Sequence, residues 1–378
     1  MQILIAPDKF RGSLEAHEVC QAVEEGILLA FPDARVTSIP LADGGEGTTQ
    51  ILTEQSKGSY QSAQVKDPLG RSIAASYGLS GDGNVAFIEM ASASGLRLLT
   101  SQERNPLLTS TYGTGQLILT AIENGVKEII LGIGGSATTD GGIGMAASVG
   151  YRFFDKGGNL LDPIGESLIK IDTINCEHVD LRLASVSITV ACDVTNPLFG
   201  SQGAAYIYGP QKGANQKMVE ELDLGLRNLA AVSAKTFGRD VSDQPGAGAA
   251  GGLGAGCLWF LNAPLKEGVQ IVMDKTNLAE HLQNSDLVIT GEGKVDEQTL
   301  SGKVVKGLAG LCQQHNVPLA VVCGTLTITP EETRTAGITY AVSVLNKPMD
   351  LVHAQKNAHI LVKEATFNLV RLFFSHKL

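Results

Sequence analysis

Apolar and polar positions along the 378 residues follow two alternating periods. The run ILIAP at the start is short and apolar, as a buried strand requires. Beyond it Val19, Ala22, Val23, Ile27 and Leu28 recur at helical spacing. That spacing predicts a helix over 14–31, with Ser13 as its N-cap and Glu15 and Glu18 in the first turns. A second strand is expected in RVTSIPLA, which ends at ADGGEGT, and a helix over 46–54. The same rhythm returns near the C-terminal end. DLVITG reads as a strand ended by GEGK, SGKVVKGLAGLCQQH as a helix capped by Ser301, PLAVVCG and TYAVSVL as strands, and 350–374 as a helix. Strands alternating with helices predict a parallel sheet covered on both faces.

The middle of the chain reads differently. AQV, SIAASYGL and NVAFIEM are short alternating runs separated by PLGR and SGDGN, which suits antiparallel strands. YGTGQLILTAIENG then predicts a helix ending at Gly125, and KEIILGIGG and SVSITVACD predict two more strands. The pattern therefore gives one α/β domain built from both chain ends, 1–67 and 285–378, interrupted by a mixed α/β domain over 68–284.

Composition narrows the function classes. The net charge is −10, so no global basic field exists to hold nucleic acid. The six cysteines form no CxxC pair, which argues against a zinc site or a disulfide scaffold. The N-terminus, MQILIAPDKFRG, breaks its apolar run at Pro7, Asp8 and Lys9 and is no signal peptide, so a cytoplasmic location is expected. Residues 244–265 carry no charge and reach membrane-span length, but Pro245 and six glycines favour a buried, glycine-packed segment over a span.

Acidic residues recur at strand exits: Asp8 after ILIAP, Asp43 after SIPLA, Asp193 after SITVAC and Glu292 after LVITG. Ligands of open parallel sheets bind at such exits. Any one of these acids could simply cap the next helix, but four together favour a site. APDKFRGS adds Lys9, Arg11 and Ser13, suited to an anionic substrate. ADGGEGT places Asp43 among glycines, where it could hold Mg²⁺. GIGGSATTDGGIGMA, residues 132–146, contains no lysine or arginine. Its Gly134, Gly135, Ser136, Thr138, Thr139, Gly141 and Gly142 offer amide and hydroxyl donors to nucleotide phosphates, and Asp140 offers a second metal ligand. Close packing through glycine is the competing reading and can coexist with it. TGEGKVDEQTLSGK repeats the acid-in-glycine pattern around Glu292 and adds Lys303.

Two common nucleotide motifs fail. No GxxxxGK[ST] is present, and the only GxGxxG, GAGAAG at 246–251, follows polar DVSDQP rather than a strand. The seven histidines fall in apparent helices or loops and carry no expected role.

Seven segments, IAPDKFRGSL, PLADGGEGT, GIGGSATTDGGIGM, VACDVTNPL, GPQKGA, PGAGAAGGLGAG and LVITGEGKVDEQTLSGK, resemble the bacterial glycerate kinase family in order and spacing across essentially the whole chain. Thr139 stands where many members have Asn, and APDKF replaces a serine-containing variant. The resemblance implies a flavodoxin-like α/β domain formed by both chain ends, an inserted α/β domain, and an active site in the cleft between them. It implies ATP-dependent phosphorylation of D-glycerate with Mg²⁺, at the 2-hydroxyl in preference to the 3-hydroxyl. The expected partner is this small molecule alone, with no nucleic acid or membrane, in a monomer or homodimer. Under this reading Lys9, Arg11, Asp8, Ser13 and Glu292 bind substrate. Residues 134–142 bind the nucleotide phosphates, and Asp43 or Asp140 binds Mg²⁺. Asp193 orients or deprotonates the hydroxyl, and Lys303 with Lys9 attends the transferring phosphoryl group. The alternatives are a nicotinamide-dependent 2-hydroxy-acid dehydrogenase, which the missing strand before GAGAAG opposes, and a non-catalytic nucleotide or metabolite sensor.

Overall fold

A computed structural model describes residues 1–42, 47–297, 299 and 304–375. The strands, in chain order, begin with β1 (Gln2–Ile5) and β2 (Arg35–Ser38). There follow β3 (Ser59–Lys66), β4 (Ser72–Leu79), β5 (Val85–Glu89), β6 (Glu128–Gly132), β7 (Arg152–Phe154), β8 (Thr173–Asn175), β9 (Ser187–Ala191) and β10 (Leu265–Lys266). The last are β11 (Leu287–Val295), β12 (Leu319–Leu326) and β13 (Tyr340–Ser343). The chain divides into two compact units, Met1–Asp43 with Val269–Leu378, and Gly44–Gly268.

The first unit carries a sheet in the order β13-β12-β11-β1-β2, with every pair parallel. In the unit's own strand sequence this is 2-1-3-4-5, the flavodoxin-like order, whose direction reverses between β1 and β11. Ile3, Ile5, Leu287, Ile289 and Val322 supply one buried face against Val19, Val23, Leu361 and Val362 of the flanking helices. The helices Ala16–Ala30 and Ala358–Phe373 touch at Gly26, where a Cβ would lie 2.5 Å from the Lys363 carbonyl. Beside that contact Glu25 accepts from Lys363 Nζ at 2.9 Å and pairs with His359 at 3.2 Å.

Several elements differ from the pattern-based expectation. Glu15, not Ser13, precedes the first helix, and its N–H donates to Glu18 Oε2 at 2.8 Å. Ser13 instead donates to the Phe10 carbonyl at 3.0 Å. The span 350–374 forms two helices, Leu351–Lys356 and Ala358–Phe373, interrupted at Asn357. DLVITG does not stop at GEGK: β11 continues to Val295 because Glu292, Lys294 and Val295 stay in register with Cys323, Thr325 and Leu326. Ser301 lies outside the described residues.

The second unit carries a six-stranded sheet, β10-β9-β6-β5-β4-β3. The part from β5 to β10 is parallel, and β3, β4 and β5 pair antiparallel as the alternating runs predict. NVAFIEM therefore opens the parallel part as well as closing the antiparallel one. A small β7-β8 ribbon stands apart. Helices Tyr112–Glu123, Gln216–Phe237 and Ala249–Phe260 bury Leu117, Ile118, Leu222, Leu226, Leu253 and Phe260 in this unit's core. The uncharged stretch at 244–265 belongs to this packing. Among the described residues no helix is long and apolar enough to cross a membrane.

The unit boundaries fall away from the expected junctions at 67/68 and 284/285. β3 pairs along its whole length with β4, from Ser59↔Leu79 to Lys66↔Ser72, and so joins the second unit. The helix before it, Thr48–Gln55, meets Gly78 of β4 through Thr53. At the other junction Met273 and Val269 approach Gly307 of helix Val304–His315, which draws 269–284 into the first unit.

Candidate active site

In the first unit the chemistry collects where β1 and β11 leave the sheet. The Asp8 N–H donates to the Gly291 carbonyl at 2.9 Å, which fixes the turn after β1 against β11 at the point where strand order reverses. Asp8 Oδ1 accepts from the Lys9 N–H at 2.7 Å. Gly293 lets the turn lie flat on the strand, since a Cβ there would stand 3.2 Å from the Arg11 N. The expected substrate residues Asp8, Lys9, Arg11, Ser13 and Glu292 thus share one strand-end face, with Arg11 exposed and the other four half-buried. Of these five, Arg11 and Ser13 line an adjoining cavity of about 260 Å³, whose wall is otherwise largely apolar, with Phe10, Val344, Met349 and Leu351. Burial, with Glu292 beside it, pushes the Cys323 thiol up to about 12, so this cysteine stays protonated and inert. Lys294 pairs with Asp296 at 2.9 Å. Asp43 and Lys303 lie outside the described residues.

In the second unit the parallel strands put Glu89, Gly132 and Ala191 side by side at their exits. The segment after β6 enters its turn through two exposed glycines, Gly134 and Gly135. No atom of the described residues stands within 4 Å of where a Gly134 Cβ would be, which leaves the backbone there open among them. Gly135 has φ +74°, which glycine adopts at little cost. The Gly135 carbonyl accepts from the Leu96 N–H at 2.9 Å, and the Ala137 N–H donates to the Ser94 carbonyl at 2.9 Å. These bonds clamp the turn to the segment ahead of Arg97.

From Ser136 onward the loop is interior. Thr138, Thr139 and Asp140 have no exposed surface. Gly141 and Gly142 are buried too, with φ of +60° and +79°. They pack on the other glycine-rich segment: the Gly141 N–H donates to the Gly251 carbonyl at 3.0 Å, and a Cβ on Gly142 would lie 3.1 Å from Gly256 Cα. Ala250, Gly251 and Gly252 all adopt the left-handed conformation to permit this approach. GAGAAG is therefore a packing segment, as its polar lead-in predicts. The exposed part of the loop is limited to 134–135, with Ser136 at its edge.

Asp140 does not fit the metal role expected of it. Its Oδ2 accepts from the Thr111 N–H and hydroxyl, each at 2.7 Å, and from the Gly144 N–H at 3.2 Å. Its Oδ1 accepts from the Gly142 N–H at 3.2 Å. Burial pushes this carboxyl up, and the Thr111, Gly142 and Gly144 donors oppose it. A carboxylate so engaged ties the loop to Thr111 and leaves no face for a cation. No group of three or more His, Cys, Asp or Glu side chains suited to a metal occurs among the described residues.

Asp193 stands exposed just beyond β9, and its Oδ1 accepts from the Gly268 N–H at 2.8 Å. It thereby caps the helix Gly268–Lys275, the helix-end role open to any strand-end acid. Glu89, which the strand-exit pattern passed over because it ends β5 rather than following it, accepts from the N–H groups of Gly47 at 3.3 Å and Thr49 at 3.4 Å.

Lys212 was also missed. It belongs to the 3₁₀ turn Pro210–Lys212 within GPQKGA and is 1% exposed. Its Nζ donates to Ser136 Oγ at 2.7 Å and to the Thr138 carbonyl at 2.6 Å. Burial pulls its pKa down to about 7, with Asp140 holding it up. The only sequence signal was a lysine between proline and glycine, and nothing in its spacing points to a loop some seventy residues earlier.

Against known proteins, the glycerate kinase family matches residues 3–374. The chain is 46% identical to a glycerate 2-kinase of Escherichia coli K12 over 98% of its length and 97% of that protein. It is 45% identical to a glycerate kinase of Halalkalibacterium halodurans over 97% of both chains. A solved structure from Salmonella typhimurium LT2, provisionally assigned as a glycerate kinase 2, superposes with a TM-score of 0.90 at 44% identity over 100% of both chains. With an enzyme family spanning the whole molecule, the dehydrogenase and sensor alternatives fall away. The mixed α/β fold, the glycine loop at a parallel strand exit and these relatives agree: the chain belongs to the glycerate kinase family and is a glycerate kinase.

Proposed function

We propose that the enzyme transfers the γ-phosphoryl group of ATP to the 2-hydroxyl of D-glycerate. The observation that carries the nucleotide half is the exposed Gly134–Gly135 turn at the exit of β6, where bare backbone offers N–H groups to an anion. The E. coli relative's name, a glycerate 2-kinase, supports the 2-position. Lys9 and Arg11 suit the glycerate carboxylate, and Asp8 and Glu292 suit its hydroxyls. In the transfer the substrate oxygen bonds to the γ-phosphorus, the bond from that phosphorus to the ADP oxygen breaks, and Asp193 accepts the hydroxyl proton. Lys303 is assigned to the transferring phosphoryl group.

Mg²⁺ would offset part of the negative charge of the phosphates. It needs only one or two protein carboxylates beside the phosphate oxygens and water. Asp43 remains the candidate ligand, and the closed donor set around Asp140 removes that residue. The six free cysteines support a reducing, cytoplasmic setting.

The test is ADP release with D-glycerate, ATP and Mg²⁺, with the product passed to enolase without a phosphoglycerate mutase. Enolase signal is expected. ADP release without it moves the phosphate to the 3-position, and no ADP release with ATP removes ATP as the donor.

A further inference from the structure

The glycine turn has no cation of its own between residues 132 and 146, yet Lys212 reaches it from elsewhere in the second unit. An ammonium taken out of water loses several kcal/mol of hydration, even after relaxation. A strut joining two loops needs no charge, so a buried charge here calls for a reason. The hydrogen bonds supply one. Nζ donates to Ser136 Oγ, so the Ser136 hydroxyl must direct its own proton elsewhere. Ser136 adjoins the two exposed glycines and is itself 7% exposed. Beside it the Thr138 and Thr139 hydroxyls are fully buried and have no hydrogen-bond partner among the described residues. Of the charged residues, Asp140 on the loop acts on this lysine, and the Arg104 backbone packs against the adjoining Gly213.

We propose that Lys212 is a positioning residue of the nucleotide site: it orients the Ser136 hydroxyl toward a phosphate oxygen and supplies, from behind, the positive charge that the glycine loop lacks. The proposal rests on the reading that Gly134–Ser136 holds the nucleotide phosphates. It also accounts for the burial of Asp140 beside the lysine, since a buried cation needs a nearby counter-charge.

The test uses the full-length protein with Lys212→Met, Ser136→Ala and the double variant. ATP affinity, KM for each substrate, kcat and Tm are measured for each. Lys212→Met should weaken ATP binding roughly 10- to 100-fold, the usual loss for a charged hydrogen-bonding group, and leave KM for glycerate near wild type. The double variant should lose less than the product of the single losses, because the lysine acts through the serine. Wild-type ATP affinity should also fall as pH rises from 7 to 9, where the lysine loses its proton while the ionisation of ATP, already largely complete, would only strengthen binding. The Lys212→Met profile should be flat over that range.

A lowered Tm with unchanged ATP affinity would make Lys212 a structural strut and overturn the proposal. If Lys212→Met does not fold, Ser136→Ala with wild-type ATP affinity, or a flat wild-type profile from pH 7 to 9, overturns it equally. Gly134→Val separates the two levels of the argument. If it leaves ATP affinity intact, the nucleotide site lies elsewhere and the underlying reading fails. If Gly134→Val weakens ATP and Lys212→Met does not, only the role of Lys212 fails.

Discussion

At the exits of β1 and β11 the charged groups belong to the turn itself: Asp8, Lys9 and Arg11 fall within four consecutive positions, with Glu292 on the neighbouring strand. At the exit of β6 the turn is bare glycine, and its cation arrives from residue 212, behind the loop. The first arrangement presents side chains that can pair with a small anionic acid. The second presents backbone, with a buried charge that cannot itself reach far into solvent. Backbone amides suit an extended phosphate chain because they need no side-chain ordering when the ligand arrives. Side-chain cations suit a single carboxylate whose orientation must be fixed. On this difference rests the proposed division, with glycerate at the charged turn and nucleotide at the glycine turn.

The largest effect expected from breaking this account is at Asp193. Asn keeps an oxygen that can still accept from the Gly268 N–H, so the helix cap survives while the proton acceptor is lost. Asp193→Asn should lower kcat by about 10²- to 10⁴-fold, with Tm and KM for glycerate little changed. Steady-state kinetics with wild-type-like turnover would reduce Asp193 to a cap.

Next in size is the contrast between two glycines of the second unit. Gly251 has φ +69°, and a Cβ there would strike the Thr138 carbonyl. Gly251→Ala should cost about 3 kcal/mol of stability, from left-handed strain and overpacking together. No described residue comes within 4 Å of a Gly134 Cβ, so Gly134→Ala should leave Tm unchanged yet raise KM for ATP several-fold. Thermal denaturation and ATP kinetics on both variants check this, and equal Tm losses would contradict the division into packed and open halves of the loop.

An effect smaller than the Gly251 loss is the most selective. Arg11 is exposed, so Arg11→Ala should not alter Tm. It should raise KM for glycerate by about tenfold, at the lower end for a charge-assisted hydrogen bond, with KM for ATP unchanged. A rise in KM for ATP instead would exchange the two assignments.

How much of this was readable from sequence follows the same contrast. In the first unit the order of strands and helices, the strand-end acids and the two cations were all local, within a few residues of one another, and periodicity carried them. What failed there was fine: β11 runs through GEGK because its partner β12 keeps bonding to it, and Glu15 replaces Ser13 ahead of the first helix. In the second unit the glycines at 134–142 were legible as an unusual strand exit, but not which of them faces out. That depends on Gly251 and Gly256 packing against Gly141 and Gly142 from over a hundred residues away. Asp140 looked like a metal ligand because its two shortest bonds come from Thr111, 29 residues earlier, and leave no trace in the local sequence. The compact units divide at other residues than the expected junctions for a related reason, since only the pairing of β3 with β4 reveals where that strand belongs.

The central claim is the division of labour between the charged turn and the glycine turn. The most direct measurement is a crystal structure with Mg²⁺ and a non-hydrolysable ATP analogue. The account predicts phosphate oxygens within hydrogen-bond distance of the Gly134 and Gly135 amides and of Ser136 Oγ. Phosphates seated instead on the Asp8–Ser13 turn, with the Gly134–Gly135 backbone facing only solvent, would contradict it.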